Sequence, residues 1–536
     1  MLTQYPSIKT LLPGLVLLLV AAPGAGWAAC DLIVGSTANA GGTCINPPAN
    51  PNTCTLRQAI ATAAANQTIC FAESLKGNTI SLATLSLTIN KNLTIRGFGG
   101  PASNGITISG SNAVRIFTVG CTGGGACNPS PSANTVTFDG LILQNGFVSN
   151  ARGGAIRQTD SANTTVFVLN STFLNNSASQ AGGAIANRDG SLTVRNSTFS
   201  GNVVTGSAGN NNGGGAIYVE TNGPSLTLEN STFFNNQTTT AALGDAIRIA
   251  SGSTALLNNN TFSNNSAGTN TDGINNAGTL TLQNNILTGT TCNSSVAITG
   301  NNNLINGATS GSNTTACGLT DGSNGNKIGS FDPALVALAD NGGPTQTMAI
   351  PNTSPAYNAG GTNCVSTDQR GVTRPQFDTC DMGAFEFSAT LASLLGQQTP
   401  LTNNPQPCAT TADLDYPQLS LQGVCNAQLT LRNTSNQTLT NITFKVNEIS
   451  VGGVNPTNWI LNGVRGPDQV GAIVAGPLSL AASVDMIPVF KIGLLSRDTY
   501  KLRFSAFGTP SGGRAANPVH LGDFEAELKP GPASRR

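Results

Sequence analysis

Apolar and polar residues alternate with period two in short bursts along the middle of the chain, as in Leu192-Thr193-Val194-Arg195 and Leu226-Thr227-Leu228-Glu229. This pattern predicts brief strands with one face buried, and no helical period of three to four runs beside it. Each burst leads into a box that places Asn three residues after an aromatic, at Phe173/Asn176, Phe199/Asn202, Phe233/Asn236 and Phe262/Asn265, with Leu287 where the pattern fades. A second box, Gly-Gly-Ala-Ile, stands at Gly153-Ile156, Gly182-Ile185 and Gly214-Ile217, varies to Gly244-Asp245-Ala246-Ile247, and fades at Asp272-Gly273-Ile274. The two boxes recur with a period of roughly thirty residues, the mark of a solenoid whose units bury their apolar faces only against stacked neighbours. With no room for a helix in each unit, the expected architecture is a right-handed parallel β-helix. Phe173, Phe199, Phe233 and Phe262 are expected to stack inside as one column and Ala-Ile as another. Asn is expected to ladder at the corners and bond its own turn.

The remaining segments set the domain organisation. Residues 1–28 read as a signal peptide: Lys9 precedes an apolar stretch from Leu11 to Ala22, and Gly26-Trp27-Ala28 suits a signal peptidase. That stretch is too short to span a membrane, so no membrane insertion is expected after cleavage. Residues 29–89 are expected to form an N-terminal cap, in which Leu56 to Ala65 carries helical spacing and covers the open first coil. The β-helix is assigned to 90–387, with a distinct end at 331–387. A polar, Pro-containing linker follows at 388–410. In 411–536, Leu419-Leu421, Ala427-Leu431, Ile442-Val446 and Tyr500-Phe504 alternate at period two, as in an antiparallel, Ig-like β-sandwich.

Twelve cysteines in an exported chain predict disulfides. Their spacing is pairwise: Cys121/Cys127, Cys292/Cys317, Cys364/Cys380 and Cys408/Cys425. Cys30, Cys44, Cys54 and Cys70 form a quartet with three possible connectivities, for which Cys30/Cys44 and Cys54/Cys70 is the local expectation. No metal site is expected, because the sole His is His520 and no Cys-x-x-Cys occurs.

The repeats are similar to those of polymorphic outer-membrane proteins, surface-exposed β-helix adhesins of the pectin-lyase-like superfamily. Cys54-Thr55-Leu56-Arg57-Gln58-Ala59-Ile60 with Ala64-Ala65-Asn66 resembles the CSLREA domain at the front of secreted bacterial β-helix proteins, with Thr and Gln in place of Ser and Glu. Ala339-Thr345, Ser354-Pro355-Ala356, Thr367-Asp368-Gln369-Arg370-Gly371 and Cys380-Asp381-Met382-Gly383-Ala384-Phe385-Glu386 resemble the choice-of-anchor Q domain that closes such solenoids. These resemblances cover roughly residues 50 to 387 and imply a secreted or cell-surface protein. The autotransporter barrel of the polymorphic proteins is not among them.

Chemistry is sparse. Lys and Arg number 25 against 25 Asp and Glu, and charged residues make up 9% of the chain, so nucleic acid and anionic membrane are poor partners. A polysaccharide lyase or hydrolase is the competing reading, since Asn270-Thr271-Asp272-Gly273-Ile274 resembles the first catalytic box of polygalacturonases. A glycosidase needs two carboxylates on one face. Between Ser161 and Thr290 the acids are Asp189, Glu220, Glu229, Asp245 and Asp272. Arg152, Arg157, Arg188, Arg195 and Arg248 fall in different coils and registers, where they are expected to be solvated. Asp272 is expected to be a turn carboxylate. Aromatic sugar platforms are almost absent: Tyr218 and Tyr357 are the tyrosines between Cys30 and Phe387, and the Trp beyond the signal is Trp459. The expectation is a monomeric, non-enzymatic adhesin or structural surface protein without cofactor, catalytic or metal-binding residues, meeting extracellular glycan or matrix protein through Asn, Thr and Ser ladders.

Overall fold

The computed structural model describes residues 30–44, 53–99, 105–120, 134–159, 164–206, 212–221, 223–239, 242–265, 272–376 and 378–387, together with the backbone of strands between Gly423 and Leu528. The expected signal segment, Cys121, Cys127, Cys408, the expected linker and Trp459 lie outside the described residues.

The period-two bursts are rungs of a parallel β-helix. Two ten-stranded sheets, one of eight strands and a short one of four run along the solenoid. One coil passes through Ser191–Arg195 in the first sheet, Thr198–Ser200 in the second, Val203–Val204 in the short fourth and Ile217–Val219 in the third. Equivalent residues of successive coils pair in parallel without slippage, as in Phe173↔Phe199, Phe199↔Phe233 and Phe233↔Phe262. Register is held because a one-residue shift would turn the buried set outward.

The four rings are fully buried, stacked at centroid spacings of 4.5, 4.6 and 4.9 Å. Leu143 precedes them in the same column, and Leu287, Ile305 and Ile328 continue it. Ile156, Ile185, Ile217, Ile247 and Ile274 form the matching column of the third sheet, which ends on Cys292.

The paired Asn residues divide two tasks, and this departs from the expected corner ladder. Asn175, Asn235 and Asn264 take left-handed backbone at the corner, with φ of 52°, 54° and 54°. Asn176, Asn202, Asn236 and Asn265 are buried and bond between coils, and Asn265 alone of the four also donates within its own turn, to the Ser263 carbonyl. The Asn202 Oδ1 accepts from the Asn176 backbone N–H and Nδ2, while Asn202 Nδ2 donates to the Phe173 carbonyl. A second buried ladder runs through Ser171, Ser197, Ser231, Asn260, Asn285, Asn303 and Asn326, each accepting from a backbone N–H of the coil before. In the Gly-Gly-Ala-Ile box, a Cβ on Gly183 would stand 2.1 Å from the Gly215 carbonyl oxygen, so coil-to-coil approach requires the missing side chain.

Both ends are closed. Helix Leu56–Thr62 buries Leu56, Ala59 and Ile60 against the first strands, and the Thr55 side chain caps it by accepting from the Gln58 N–H. The helix is shorter than the Leu56–Ala65 expected. Parallel rungs already begin at Leu32–Val34 and continue through Gln67–Phe71, Thr79–Ser81 and Leu87–Ile89, so the solenoid reaches into the segment assigned to the cap. The quartet pairs as Cys30–Cys70 and Cys44–Cys54, correcting the sequence-neighbour expectation. Parallel pairing of Leu32–Val34 with Ile69–Phe71 draws Cys30 to a residue 40 positions away. At the far end Cys292 joins Cys317, and the loop through Asn313 and Thr315 accepts the N–H groups of Cys292 and Ser294.

The segment 331–387 adds no coil, contrary to its assignment within the solenoid. The last rung is Lys327–Gly329, after which the chain doubles back as a strap over the outward face of the second sheet. Thr345 reaches Asn196, Pro355 returns to Lys327, Gln369 goes out again to Thr198 and Thr232, and Ala384 ends at Thr261. Outward Ile286 and Leu304 are buried beneath Ile350, Met382, Phe385 and Phe387, which explains apolar residues at polar-face positions.

The C-terminal strands form two antiparallel sheets. Gly423–Arg432 pairs with Ser483–Leu494, and Leu439–Val451 with Tyr500–Pro510, which in turn pairs with Val519–Leu528. His520 lies on that last strand. Cys425 stands on strand Gly423–Arg432, where its backbone is opposite Ile492. The expected Cys408/Cys425 pair lies outside the described residues, as does Cys121/Cys127, and the four described disulfides include neither Cys425 nor its expected partner.

Candidate functional site

Arg157, Tyr218 and Arg248 each directly follow an inward Ile of the third sheet, so strand parity turns all three outward in one column: Arg157↔Ala186↔Tyr218↔Arg248↔Asn275. The small Ala186 and Ala181 leave space over which arginines lie along the solenoid axis. Arg152 Nη1 reaches Glu220 Oε2 at 2.6 Å, and Arg157 Nη1 bonds Glu220 Oε1, so one carboxylate bridges two guanidiniums from two coils away. The Arg152 guanidinium also stands 5.3 Å from the centre of the Tyr218 ring.

For Arg152, Arg157 and Arg248 this cluster overturns the expectation of scattered, solvated arginines, while the Arg188 and Arg195 side chains stay partly exposed. Glu220 is 4% exposed, Arg248 8% and Tyr218 1%. Burial pushes Arg157 down, against the raising effect of Glu220, and neighbouring Arg152 and Arg188 add to the depression. Burial and then Arg157 bring Arg115 down to about 10; its guanidinium donates to the Gly153 and Arg152 carbonyls. Tyr218 is pushed up by burial, as is Asp272. Arg188 lies 3.9 Å from Asp189, and Arg195 pairs with Glu229 on the first sheet, away from this face.

Asp245 and Asp272 come from adjacent coils at equivalent positions, and the Asp245 N–H donates to the Asp272 carbonyl. Their carboxylates have different partners. Asp245 Oδ1 accepts from the Thr238 N–H and hydroxyl, each at 2.7 Å, at the end of the short fourth sheet. Asp272 Oδ2 accepts from Asn275 Nδ2 at 2.5 Å, while its Oδ1 is buried without a hydrogen-bond partner. Asp272 is therefore a strand residue with its own desolvated environment, where a turn carboxylate was expected.

Chemically, the column is an anion-neutralising array more than a proton-transfer device. Glu220 is committed to two guanidiniums, and a phenol raised from its ordinary value is a poor base at neutral pH. Among the described residues of this face, Asp272 is the carboxyl raised by burial, against the lowering effect of Asn275 and the backbone N–H groups of Asp272 and Gly244, and its Oδ1 makes no hydrogen bond. Among the described residues no cluster of three His, Cys, Asp or Glu groups could hold a metal ion.

The strap motifs have structural partners. Gln369 Nε2 donates to Thr198 Oγ1, Thr345 Oγ1 and the Gln346 carbonyl at 2.9, 2.8 and 3.0 Å, and its Oε1 accepts from the Thr232 hydroxyl. Arg374 and Glu386 form an ion pair at 2.7 Å, both 1% exposed. Asp381 accepts the N–H groups of Asn358 and Phe387. Burial and the neighbouring Glu386 push Asp381 well above the usual carboxylate range. Cys364–Cys380 staples this segment.

A separate open groove of about 670 Å³ lies at the corner after the second sheet, lined by residues that include Asn235, Asn264, Asn306 and Gly307.

No protein-family model and no curated protein matches the chain. Among solved structures, the crystal structure of pectate lyase Pel9A aligns over 66% of this chain and 96% of its own, at 13% identity and a TM-score of 0.26. Four disulfides among the described residues fit an oxidising compartment, and no described helix is long and apolar enough to cross a membrane.

Proposed function

We propose that this is an exported surface or extracellular β-helix protein that acts by binding, as a non-enzymatic adhesin or structural surface protein. The observation that carries the reading is the commitment of Glu220 to Arg152 and Arg157, which holds the carboxylate beside those two guanidiniums in ion pairs. The resemblance of the repeats to polymorphic outer-membrane proteins supports it, as do the CSLREA-like and choice-of-anchor Q-like motifs. Export is supported by the signal-like N-terminus and the disulfides.

A second reading, a polysaccharide-active enzyme, is favoured by one feature: buried Asp272 with its unpartnered Oδ1, near enough to Arg248 for the two charges to interact. Incubation of the purified protein with polygalacturonate, alginate and hyaluronan, with and without calcium, separates the two. The binding reading expects no turnover by the wild type, Asp245→Ala or Asp272→Ala. Turnover lost in Asp272→Ala establishes the enzyme instead.

A further inference from the structure

The corner groove has a construction that points to one ligand class. Across successive coils the left-handed position after the second sheet is occupied by Asn145, Asn175, Gly201, Asn235, Asn264, Gly289 and Gly307. The backbone N–H groups of Asn145, Asn175, Gly201, Asn235, Asn264 and Gly307 are consumed in coil-to-coil bonds; Asn264 donates to the Thr288 carbonyl and Gly307 to that of Gly329. The Asn235 and Asn264 carboxamides, which the fold does not need for its ladders, are exposed.

Side chains then vanish from the row. A Cβ at Gly289 would meet Asn264 Oδ1 at 2.7 Å, so the Asn264 carboxamide lies over a glycine. Gly307, at φ of 81°, has nothing within 4 Å of its Cβ position. The row thus drops from walls of carboxamide to a floor of bare backbone, and this drop is the groove. Thr290 turns its hydroxyl to the internal ladder, where it accepts from the Asn265 N–H, whereas Asn306 and Thr291 stand at the groove's edge. Among the described residues that line it there is no charged and no aromatic side chain.

We propose that this groove binds a neutral, extended oligosaccharide, an inference that rests on the binding function proposed above. A carboxamide offers one acceptor and two donors, the complement of a vicinal diol, and costs no charge desolvation. Coils repeat every ~4.8 Å, close to the rise of one pyranose unit in an extended chain, so successive Asn positions meet successive sugars. Acidic glycans gain no counter-charge there. Without an aromatic platform the single-site affinity is weak, on the order of 1 mM, or about −4 kcal/mol.

Calorimetric titration of the full chain with cellohexaose, xylohexaose and hexagalacturonate, beside a matrix-protein binding array, tests this. Gly307→Asn extends the row with the residue type that best tolerates a positive φ, at a modest backbone cost, and fills the open space above Gly307. Asn264→Gly removes one wall at a position where Gly is equally tolerated. Binding of a neutral hexamer, reduced at least tenfold by Gly307→Asn and weakened by Asn264→Gly with unchanged melting temperature, is the expected result. Neutral binding unaffected by both variants, binding of the acidic hexamer alone, or capture of a matrix protein with no oligosaccharide bound overturns the groove and leaves the binding function standing. Cleavage of any hexamer overturns the binding function itself.

Discussion

At the residue scale, the Phe column and the two polar ladders carry the solenoid. Phe199→Ala deletes a fully buried ring between two stacked neighbours and should cost about 3–5 kcal/mol in denaturant unfolding, whereas Phe199→Leu should cost less than about 1.5 kcal/mol. Leu is tolerated because Leu143 and Leu287 already occupy the same column. Asn202→Ala orphans the Asn176 N–H and the Phe173 carbonyl and should cost on the order of 1–3 kcal/mol for each, while Asn175→Gly, at an exposed left-handed corner, should be nearly silent. Asp272 links stability to pH. Its folded pKa is raised by burial, so its favourable contribution is complete below the ordinary carboxylate value and is lost as pH rises through the raised one. Asp272→Asn keeps the shape and removes the charge, so it should raise the melting temperature at neutral pH by roughly 2 °C and lose that advantage in acid. The Phe column was legible because parity along an alternating strand assigns it inward. Which of two adjacent Asn residues faces in was not, since both satisfy the same spacing and only the corner's φ separates them. The arginine cluster was hidden by distance along the chain: 68 residues separate Arg152 from Glu220, although Arg157, Tyr218 and Arg248 each follow an inward Ile.

At the element scale, rungs and strap differ in how far their sequences reveal them. The rungs repeat, and repetition of a period-two pattern with turn residues between is enough to specify a coil. The strap has no period, and its bonds go to residues more than a hundred positions away, as when Gln369 meets Thr198. Its Asp-Gln-Arg-Gly and Asp-x-Gly-Ala-Phe-Glu motifs resemble a known closing domain, but their placement back across the second sheet comes from outward Ile286 and Leu304 needing cover. Gln369→Ala removes the acceptor of Thr232 and the donor to Thr198 and Thr345. Hydrogen exchange should then rise in residues 345–347 and 367–371 with the Phe column still protected; equal exchange in wild type and variant would show that the strap is held elsewhere.

At the scale of the whole molecule, the helix at one end covers the first strands, and the Cys292–Cys317 loop at the other shields the last strand of the third sheet from pairing with a second chain. A non-reduced digest should yield linked peptides for Cys30–Cys70 and Cys44–Cys54, and reduction should lower the melting temperature most through the 40-residue span of Cys30–Cys70. The strap also changes how the body carries load. In an untethered solenoid, tension on the C-terminal chain peels the last coil first, one rung at a time. Here the described strap ends at Phe387, packed with Ile286 and Leu304 short of the final rung, and the path behind it is pinned as far back as Asn196. Tension applied at Phe387 therefore meets several coils at once, with the strap's hydrogen bonds strained sideways together rather than unzipped in turn, as a buckled belt carries its load.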